Sequence, residues 1–159
     1  MWKYPTAGWV ASSPTLLPDG SALFIGSDDG HLYNLRTKDG SLSWKQNLSN
    51  PTPEPGPPCS GVQGTPAVSP TGTLVAVGAC NGVVWMLGAA AGEVRWSRAT
   101  GGSVVSSPTF SHNGSTIYIG SNDHYVRALD TVTGAVMWAF ATKGEIQSSA
   151  QLSQDGRML

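Results

Sequence analysis

Few residues in this chain are of types that could carry catalytic or metal chemistry, and their spacing does not bring them together. The three histidines, His31, His112 and His124, follow no metal-ligand spacing, whereas a metal site gathers three or four ligands. The sequence contains no Gly-x-Ser-x-Gly elbow, no phosphate-binding loop and no Cys-x-x-Cys pair. We therefore expect no catalytic residue, no cofactor and no metal ion.

Acidic residues and cysteines have equally ordinary explanations. Asp28, Asp29 and Asp123 lie in short turns between apolar runs. Asp is common in such turns for reasons of hairpin geometry, so we expect these carboxylates to face solvent. Cys59 and Cys80 are the only cysteines, and they are not adjacent. The elements that position these residues must therefore be identified first.

The chain is a repeat array with a period of about 42 residues, a length typical of solenoids and propellers. In each copy a proline is followed, at constant offsets, by three glycines and a tryptophan. The matched residues are Pro14, Gly20, Gly26, Gly40 and Trp44; Pro66, Gly72, Gly78, Gly92 and Trp96; and Pro108, Gly114, Gly120, Gly134 and Trp138. Met1-Trp2-Lys3-Tyr4 corresponds to Met137-Trp138-Ala139-Phe140, so the sequence begins in the tail of a preceding copy.

Each copy has the local pattern of four short β-strands. Ile117-Tyr118-Ile119 ends at a glycine, and Tyr125 to Leu129 follows after the tight turn Asn122-Asp123-His124. No segment has helical spacing of apolar residues. Four antiparallel strands in about 42 residues make one propeller blade. The predicted fold is an all-β propeller of four-stranded antiparallel blades, with about 3.5 repeats in an incomplete or partner-completed ring.

Tryptophans recur at one position of each predicted outer strand. An indole there could bury its apolar surface against the next blade, which would stabilise the fold by about 1.5–3 kcal/mol. We therefore predict a structural docking role for Trp2, Trp44, Trp96 and Trp138. The glycine that precedes each full outer strand, such as Gly134, lies in a turn that favours a positive φ.

The third copy resembles a known family. Ala128 to Trp138 matches the Ala-x-Asp-x-x-Thr-Gly-x-x-x-Trp docking motif of the pyrroloquinoline-quinone-like propeller repeats, with Asp130, Thr133 and Gly134 at the motif positions. The other copies depart from it. Asn34, Arg36 and Asp39 replace the motif residues of the first copy, and Gly88-Ala89-Ala90-Ala91 removes the polar positions of the second. We expect those copies to lose hydrogen bonds between blades.

The resemblance implies two classes of function. Quinoprotein dehydrogenases of this type need an eight-bladed ring, a metal-binding carboxylate with an Asn, a catalytic Asp and often a vicinal Cys pair, none of which can be placed here. Other members resemble the outer-membrane β-barrel assembly lipoprotein and present loops to partner proteins. We predict a non-catalytic scaffold or protein–protein interaction module in a larger assembly. The alternative is a fragment of a quinoprotein-type dehydrogenase, or of a larger enzyme carrying a regulatory propeller.

The whole chain, residues 1–159, is predicted to form one repeat domain. Its parts are a blade tail at 1–11, a blade at 12–47, an insertion at 48–61, blades at 64–97 and 106–139, and a partial blade at 148–159. Propellers close with about four to eight blades, so this arc has two open edges. It could belong to a longer propeller, which we favour because both ends fall inside a blade. Two copies could instead complete one ring, or the N-terminal strand could join the C-terminal strands.

The crossing loops between blades and the turns between middle strands emerge on one face of a propeller. Recognition often resides on such loops. The interval from Trp44 to Pro66 is about ten residues longer than its counterparts, which places a proline-rich insertion on this face. The predicted partner-binding residues are Trp9, Asp28, Asp29, Pro53, Pro55, Pro57, Asn122, Asp123 and His124. The alternatives are a tolerated surface insertion and packing of Trp9 on an adjacent loop.

Cys59 in the insertion and Cys80 in the next turn would lie on the same face, so we predict a disulfide between them. A disulfide implies an oxidising compartment, which favours the periplasm, a lumen or secretion; without it the compartment is unknown.

The composition of the chain restricts the classes of partner that it could bind. A net charge of −1 and 12% charged residues argue against nucleic acid. No run of 18 apolar residues exists that could span a membrane, and no signal peptide is recognisable, because Met1-Trp2-Lys3 leads directly into a predicted strand. The expected partners are proteins, or further blades that complete the ring.

Overall fold

The computed structural model of the protein describes residues 1–49 and 61–153. Within these residues the chain forms twelve strands in three four-stranded antiparallel sheets. Blade 1 consists of β1 (Thr15–Leu16), β2 (Ala22–Gly26), β3 (His31–Arg36) and β4 (Leu42–Asn47). Blade 2 consists of β5 (Ala67–Val68), β6 (Leu74–Gly78), β7 (Val83–Gly88) and β8 (Val94–Ala99). Blade 3 consists of β9 (Thr109–Phe110), β10 (Thr116–Gly120), β11 (Tyr125–Asp130) and β12 (Val136–Ala141).

Each sheet pairs its strands in chain order, so the innermost strand comes first and the outermost last. The turns between the second and third strands need a positive φ, which Gly30 and Gly82 adopt at 84° and 81°. His124 takes the same position in blade 3 with a φ of 71°.

One irregularity recurs in all three sheets. The register between the third and fourth strands shifts between Asn34 and Leu35, between Met86 and Leu87, and between Ala128 and Leu129. In each case the outer strand carries one extra residue, the pattern of a β-bulge. The tryptophan follows the extra residue directly and pairs with Asn34, Met86 or Ala128.

The hydrophobic core lies between neighbouring blades. We call the side of each sheet that carries the docking tryptophan its trailing face, and the opposite side its leading face. Side chains from the two faces interdigitate and exclude water, which stabilises the arc. In the first interface Phe24 and Leu32 of blade 1 pack against Val75, Val77 and Leu87 of blade 2, all with 0% exposure. In the second, Ala76, Val84 and Met86 of blade 2 pack with Ile117, Ile119 and Leu129 of blade 3. These sheets confirm the predicted β-propeller of four-stranded antiparallel blades.

Tryptophans hydrogen-bond across both interfaces, and Trp2 of the N-terminal tail makes the same bond to blade 1. The indole Nε1 of Trp2 donates to the carbonyl oxygen of Thr37 at 2.9 Å, that of Trp44 to Ala89 at 3.0 Å, and that of Trp96 to Thr131 at 2.9 Å. Each ring also lies against a glycine of the receiving turn: Gly40, Gly92 and Gly134, respectively. Trp138, by contrast, is 41% exposed and contacts the ring of Tyr118 on its own blade.

The polar residues of the docking motif act within one turn. The carboxylate Oδ1 of Asp130 accepts hydrogen bonds from the backbone nitrogens of Val132 and Thr133 and from the Thr133 hydroxyl. The acceptor for the indole of the preceding blade is instead a backbone carbonyl. Blade 2 therefore keeps this inter-blade hydrogen bond through Ala89, contrary to the expectation drawn from its missing polar residues.

Hydroxyl groups join the blades along their inner ends. The backbone nitrogen of Ser13 donates to the Thr65 hydroxyl at 3.2 Å, that of Thr65 to the Ser107 hydroxyl at 3.0 Å, and that of Ser107 to the Ser149 hydroxyl at 3.0 Å. Residues 148–153 thus lie beside β9 in the place of a further inner strand.

The observed element bounds differ in places from the predicted blades. β8 and β12 extend to Ala99 and Ala141, two residues beyond the predicted ends of their blades. Residues 1–14 contain no strand, although the sequence pattern predicts one at Trp2. The segment around Trp2 belongs to none of the three sheets, so it lacks the ladder hydrogen bonds that define a strand. The predicted partial blade at 148–159 is described only as far as residue 153.

Candidate partner-binding surface

Crossing loops and middle turns meet on one side of the arc, which we call the loop face. Its geometry is set by one hydrogen bond that repeats in every blade. The backbone nitrogen of Asp28 donates to the carbonyl of Trp9 at 2.8 Å, that of Cys80 to Gly61 at 3.0 Å, and that of Asn122 to Ser103 at 2.9 Å. Each crossing loop is thus tied to the turns of the sheets beside it.

Asp29 clamps the first crossing segment. Its Oδ2 accepts hydrogen bonds from the backbone nitrogen of Ala7 at 3.0 Å and from the Tyr33 hydroxyl at 2.7 Å. Burial raises the pKa of Asp29, but these bonds and those from His31 outweigh burial and hold the pKa below its ordinary value. Burial of the Tyr33 hydroxyl and its hydrogen bond to the Asp29 carboxylate raise the pKa of Tyr33.

Asp123 makes the equivalent clamp in blade 3. Its two carboxylate oxygens form a bidentate ion pair with the Arg127 guanidinium, at 2.9 Å and 2.6 Å. Its Oδ2 also accepts a hydrogen bond from the backbone nitrogen of Gly101 at 2.8 Å. Burial raises the pKa of Asp123, yet the Arg127 pair and the backbone donors lower it overall to about 2. The side chains of Asp29 and Asp123 are each only 9% exposed, so neither faces solvent as the turn pattern suggests.

In blade 2, Asn81 stands at the position of Asp29 and Asp123. It hydrogen-bonds Leu48, the residue that anchors the start of the insertion. Its Nδ2 donates to the carbonyl of Leu48 at 2.9 Å, and its Oδ1 accepts the backbone nitrogen of Val83 at 3.2 Å. Leu48 is 1% exposed, and its backbone nitrogen donates a hydrogen bond to the carbonyl oxygen of Gly30 at 2.8 Å. The chain is therefore fixed immediately before the insertion.

The far end of the insertion is fixed equally well. The Gly61 carbonyl accepts the Cys80 nitrogen, and the nitrogen of Val62, which is 0% exposed, bonds the Ser27 carbonyl at 2.9 Å. The predicted site residues Pro53, Pro55, Pro57 and Cys59 lie outside the described residues, and the predicted Cys59–Cys80 disulfide stays a prediction. Cys80 itself is 1% exposed.

The remaining predicted site residues differ in accessibility. The indole of Trp9 is 85% exposed, and His124 is exposed as well. The Oδ1 atoms of Asp28 and Asn122, which occupy equivalent positions, are buried without a hydrogen-bond partner among the described residues. The structure thus places Trp9, Asp28 and Asp29 around one turn, and Asn122, Asp123 and His124 around another two blades away.

The hydrogen-bond register gives Trp9 the same repeat position as Gly61 and Ser103. The sequence spacing agrees, because these three residues each stand five residues before the repeat prolines Pro14, Pro66 and Pro108. Trp9 is therefore an aromatic residue at a position where the other two blades have glycine and serine.

Two further findings concern metals and membranes. Among residues 1–49 and 61–153, no three His, Cys, Asp or Glu side chains converge as a metal site would require. The same residues contain no helix with the length and hydropathy needed to cross a membrane.

Comparisons with known proteins agree with the fold. A family model described as outer membrane protein assembly factor BamB matches residues 54–159. No curated protein sequence matches the chain. Among solved structures, BamB from Moraxella catarrhalis is similar with a TM-score of 0.77 and 24% sequence identity, over 96% of this chain and 44% of that protein. The chain thus spans less than half the length of that structure. Because the family model covers most of the sequence, the chain belongs to the family of pyrroloquinoline-quinone-like β-propeller repeats described as outer membrane protein assembly factor BamB.

Proposed function

We propose that this chain is a non-catalytic propeller scaffold that binds a protein partner through its loop face, as part of a larger assembly. The acidic side chains that sequence alone offers for catalysis support a structural role instead. Asp29 and Asp123 are committed to clamping crossing loops, and an enzyme would need such groups free to meet a substrate.

The observation that carries this proposal is the anchoring of the insertion. Leu48 and Val62 are buried on either side of it, and both are tied by backbone hydrogen bonds to the Ser27–Gly30 turn. Extra residues between two fixed points extend a surface without disturbing the sheets. Loops held on a rigid scaffold are a common place for recognition.

Trp9 adds an aromatic side chain to the same surface. Its backbone is fixed by the bond to Asp28 and by Gly8, which packs against the backbone of Asp29, whereas its indole is 85% exposed. Trp is enriched among residues that dominate binding energy, because it buries a large area with few rotatable bonds. Trp9 and the two anchors of the insertion, Leu48 and Val62, are bonded to the same turn, so one partner could contact both Trp9 and the insertion.

The family's description names a factor for outer membrane protein assembly, and it indicates which class of protein the partner belongs to. We therefore propose that the partner is a protein component of that process. The chain would hold this partner in place and would catalyse no reaction itself.

A site-specific photo-crosslinker tests this function. It is placed at Thr52 in the insertion or, as a matched control, at Ser21 on the opposite side of blade 1. The chain is then exposed to an envelope extract from a bacterium with an outer membrane. We expect one assembly component to be crosslinked from Thr52 and not from Ser21.

A deletion provides the independent check. Removal of Pro51 to Pro58 should leave the melting temperature of the chain unchanged, because the anchors at Leu48 and Val62 remain, and should abolish capture of the same component. Trp9→Ser should weaken capture at least tenfold. Equal capture by the deletion variant would refute the proposed surface.

A further inference from the structure

One residue in the turn between the second and third strands of each blade has a positive φ. Gly30 and Gly82 take this position in blades 1 and 2, and His124 takes it in blade 3 with a φ of 71°. Each donates its backbone nitrogen to the carbonyl three residues earlier, at 3.1, 3.0 and 3.1 Å, respectively. Glycine adopts this conformation freely, whereas a Cβ makes it unfavourable. The histidine therefore costs stability that a glycine at this position would not.

The imidazole of His124 does not offset this cost within the chain. It is exposed, and it makes no hydrogen bond, ion pair or ring contact with residues 1–49 or 61–153. Thr142 bonds only the backbone carbonyl of His124, from its nitrogen at 2.7 Å and from its hydroxyl at 2.9 Å. Backbone strain that no packing explains indicates a function for the side chain that causes it.

Blade 2 shows that this part of the fold requires no side chain at either of two positions. Thr100 bonds the carbonyl of Gly82 through its backbone nitrogen and its hydroxyl, at 2.7 and 2.8 Å, as Thr142 does at the equivalent turn of blade 3. Both threonine hydroxyls also donate to the carbonyl two residues later, at 2.7 Å. Gly101 and Lys143 follow these threonines. Blade 3 thus has a histidine and a lysine where blade 2 has two glycines, on the same backbone.

The acidic groups near this pair already have partners. The carboxylate of Asp123 is bound by Arg127 and by two backbone nitrogens. The carboxylate of Glu145 accepts a hydrogen bond from the Gln147 amide at 3.3 Å. By contrast, the ammonium of Lys143 is exposed and forms no ion pair with any of the described residues. The turn therefore presents two hydrogen-bond donors, an ammonium and an imidazole, to the outside.

We propose that His124 and Lys143 bind a carboxylate side chain from an acidic segment of a protein partner. A carboxylate only accepts hydrogen bonds, and it bonds most strongly to charged donors such as an ammonium. The inference rests on the proposed function, because it gives the partner a second contact on the loop face, two blades from Trp9. Exposed charged contacts orient a partner and speed its encounter more than they add affinity.

Nuclear magnetic resonance of the isotope-labelled chain tests the contact with a defined probe, a peptide of alternating aspartate and serine. We expect the amide signals of His124, Thr142 and Lys143 to shift on titration, and the shifts to diminish as salt is added. The matching peptide of asparagine and serine should cause no shift. Equal shifts from both peptides, or shifts caused by phosphatidylglycerol vesicles and not by the aspartate peptide, would overturn the proposal.

Two substitutions restore the residues of blade 2. Lys143→Gly should weaken binding of the aspartate peptide about fivefold. His124→Gly should also weaken it, and it should raise the melting temperature by about 2 °C because glycine relieves the backbone. Lys38→Gly is the matched control, since it removes the same charge from an exposed turn at the opposite end of a blade, and it should bind the peptide normally. Normal binding by the two blade 3 variants would also disprove the contact.

This test is separable from the test of the proposed function. Capture of an assembly component from Thr52 without any response to the aspartate peptide would disprove only the carboxylate contact. A response to the peptide that both glycine variants lose, without capture from Thr52, would support the contact and count against the proposed partner class.

Discussion

Aspartate in a hairpin turn is ordinary, but two aspartates of this chain are used for a specific task. Asp29 and Asp123 reach sideways to a backbone nitrogen of the crossing segment, and each is held by a side chain of the neighbouring strand. Asp29 uses a tyrosine and Asp123 an arginine, so the clamp is kept although its partner changes. We infer that these carboxylates contribute to stability more than to recognition.

This role predicts a pH dependence. The pKa of Asp123 is about 2 in the folded chain, below its ordinary value of 3.8, so the folded state favours the ionised form. Its contribution is therefore complete above about pH 4 and is lost as the pH falls towards 2, on the order of 1–2 kcal/mol. Urea unfolding at several pH values should show Asp123→Asn to be less stable at pH 6 and less sensitive to acid.

The control is Glu93→Gln. Glu93 pairs with Arg95, but the two side chains are 47% and 56% exposed, and such surface pairs contribute little. This variant should follow the wild-type curve. A wild-type acid response in Asp123→Asn would show that the clamp does not stabilise the fold.

Two glycines with nearly the same backbone separate the effect of conformation from that of packing. Gly20 and Gly92 have φ values of 70° and 74°. A Cβ at Gly20 would meet nothing within 4 Å, whereas one at Gly92 would lie 2.6 Å from the Trp44 ring. Gly20→Ala should cost about 1 kcal/mol for its positive φ, and Gly92→Ala about 1–3 kcal/mol more because it displaces the indole.

Chemical unfolding and tryptophan fluorescence measure this difference. Gly92→Ala should shift the emission to longer wavelength, because the Trp44 indole becomes more exposed. Equal stabilities for the two variants would mean that the ring does not depend on the glycine surface.

At the scale of elements, the strands were predictable because their signals are local. Runs such as Ile117-Tyr118-Ile119 alternate between the two faces of a blade, and glycines end them. The role of the tryptophans could be anticipated from their period alone. What the sequence could not reveal depends on tertiary contacts: the clamps of Asp29 and Asp123, and the backbone acceptor that preserves docking on Ala89.

A covalent link between elements remains to be tested. Gly61 lies against Cys80 through a backbone hydrogen bond of 3.0 Å, and Cys59 is two residues upstream. Two residues span no more than about 7 Å, so the sulfurs could meet, and a bridge closing a loop of this size contributes about 3 kcal/mol. Mass spectrometry of the non-reduced, alkylated chain should find no free thiol. Two alkylated cysteines would disprove the bridge.

At the scale of the whole arc, each blade of the described residues packs on its neighbours in the sequence, as in other repeat arrays, so stability should follow the number of covered faces. Blade 2 is covered on both faces, and its strands β6 and β7 each have a single residue that is not buried. Hydrogen exchange of the chain should therefore be slowest in blade 2. Uniform protection across the three blades would indicate a single cooperative unit.

The recurring bulge has a consequence for how such a chain can change in length. Because side chains alternate along a strand, one residue more or fewer before Trp44, Trp96 or Trp138 would turn the indole to the wrong side of its sheet. The crossing loop after Ser49 carries no such constraint, since both of its ends are anchored independently. The chain can thus be lengthened at this crossing while its strands keep a fixed count, and a protein engineer could display a foreign peptide between Ser49 and Gly61 without redesigning a blade.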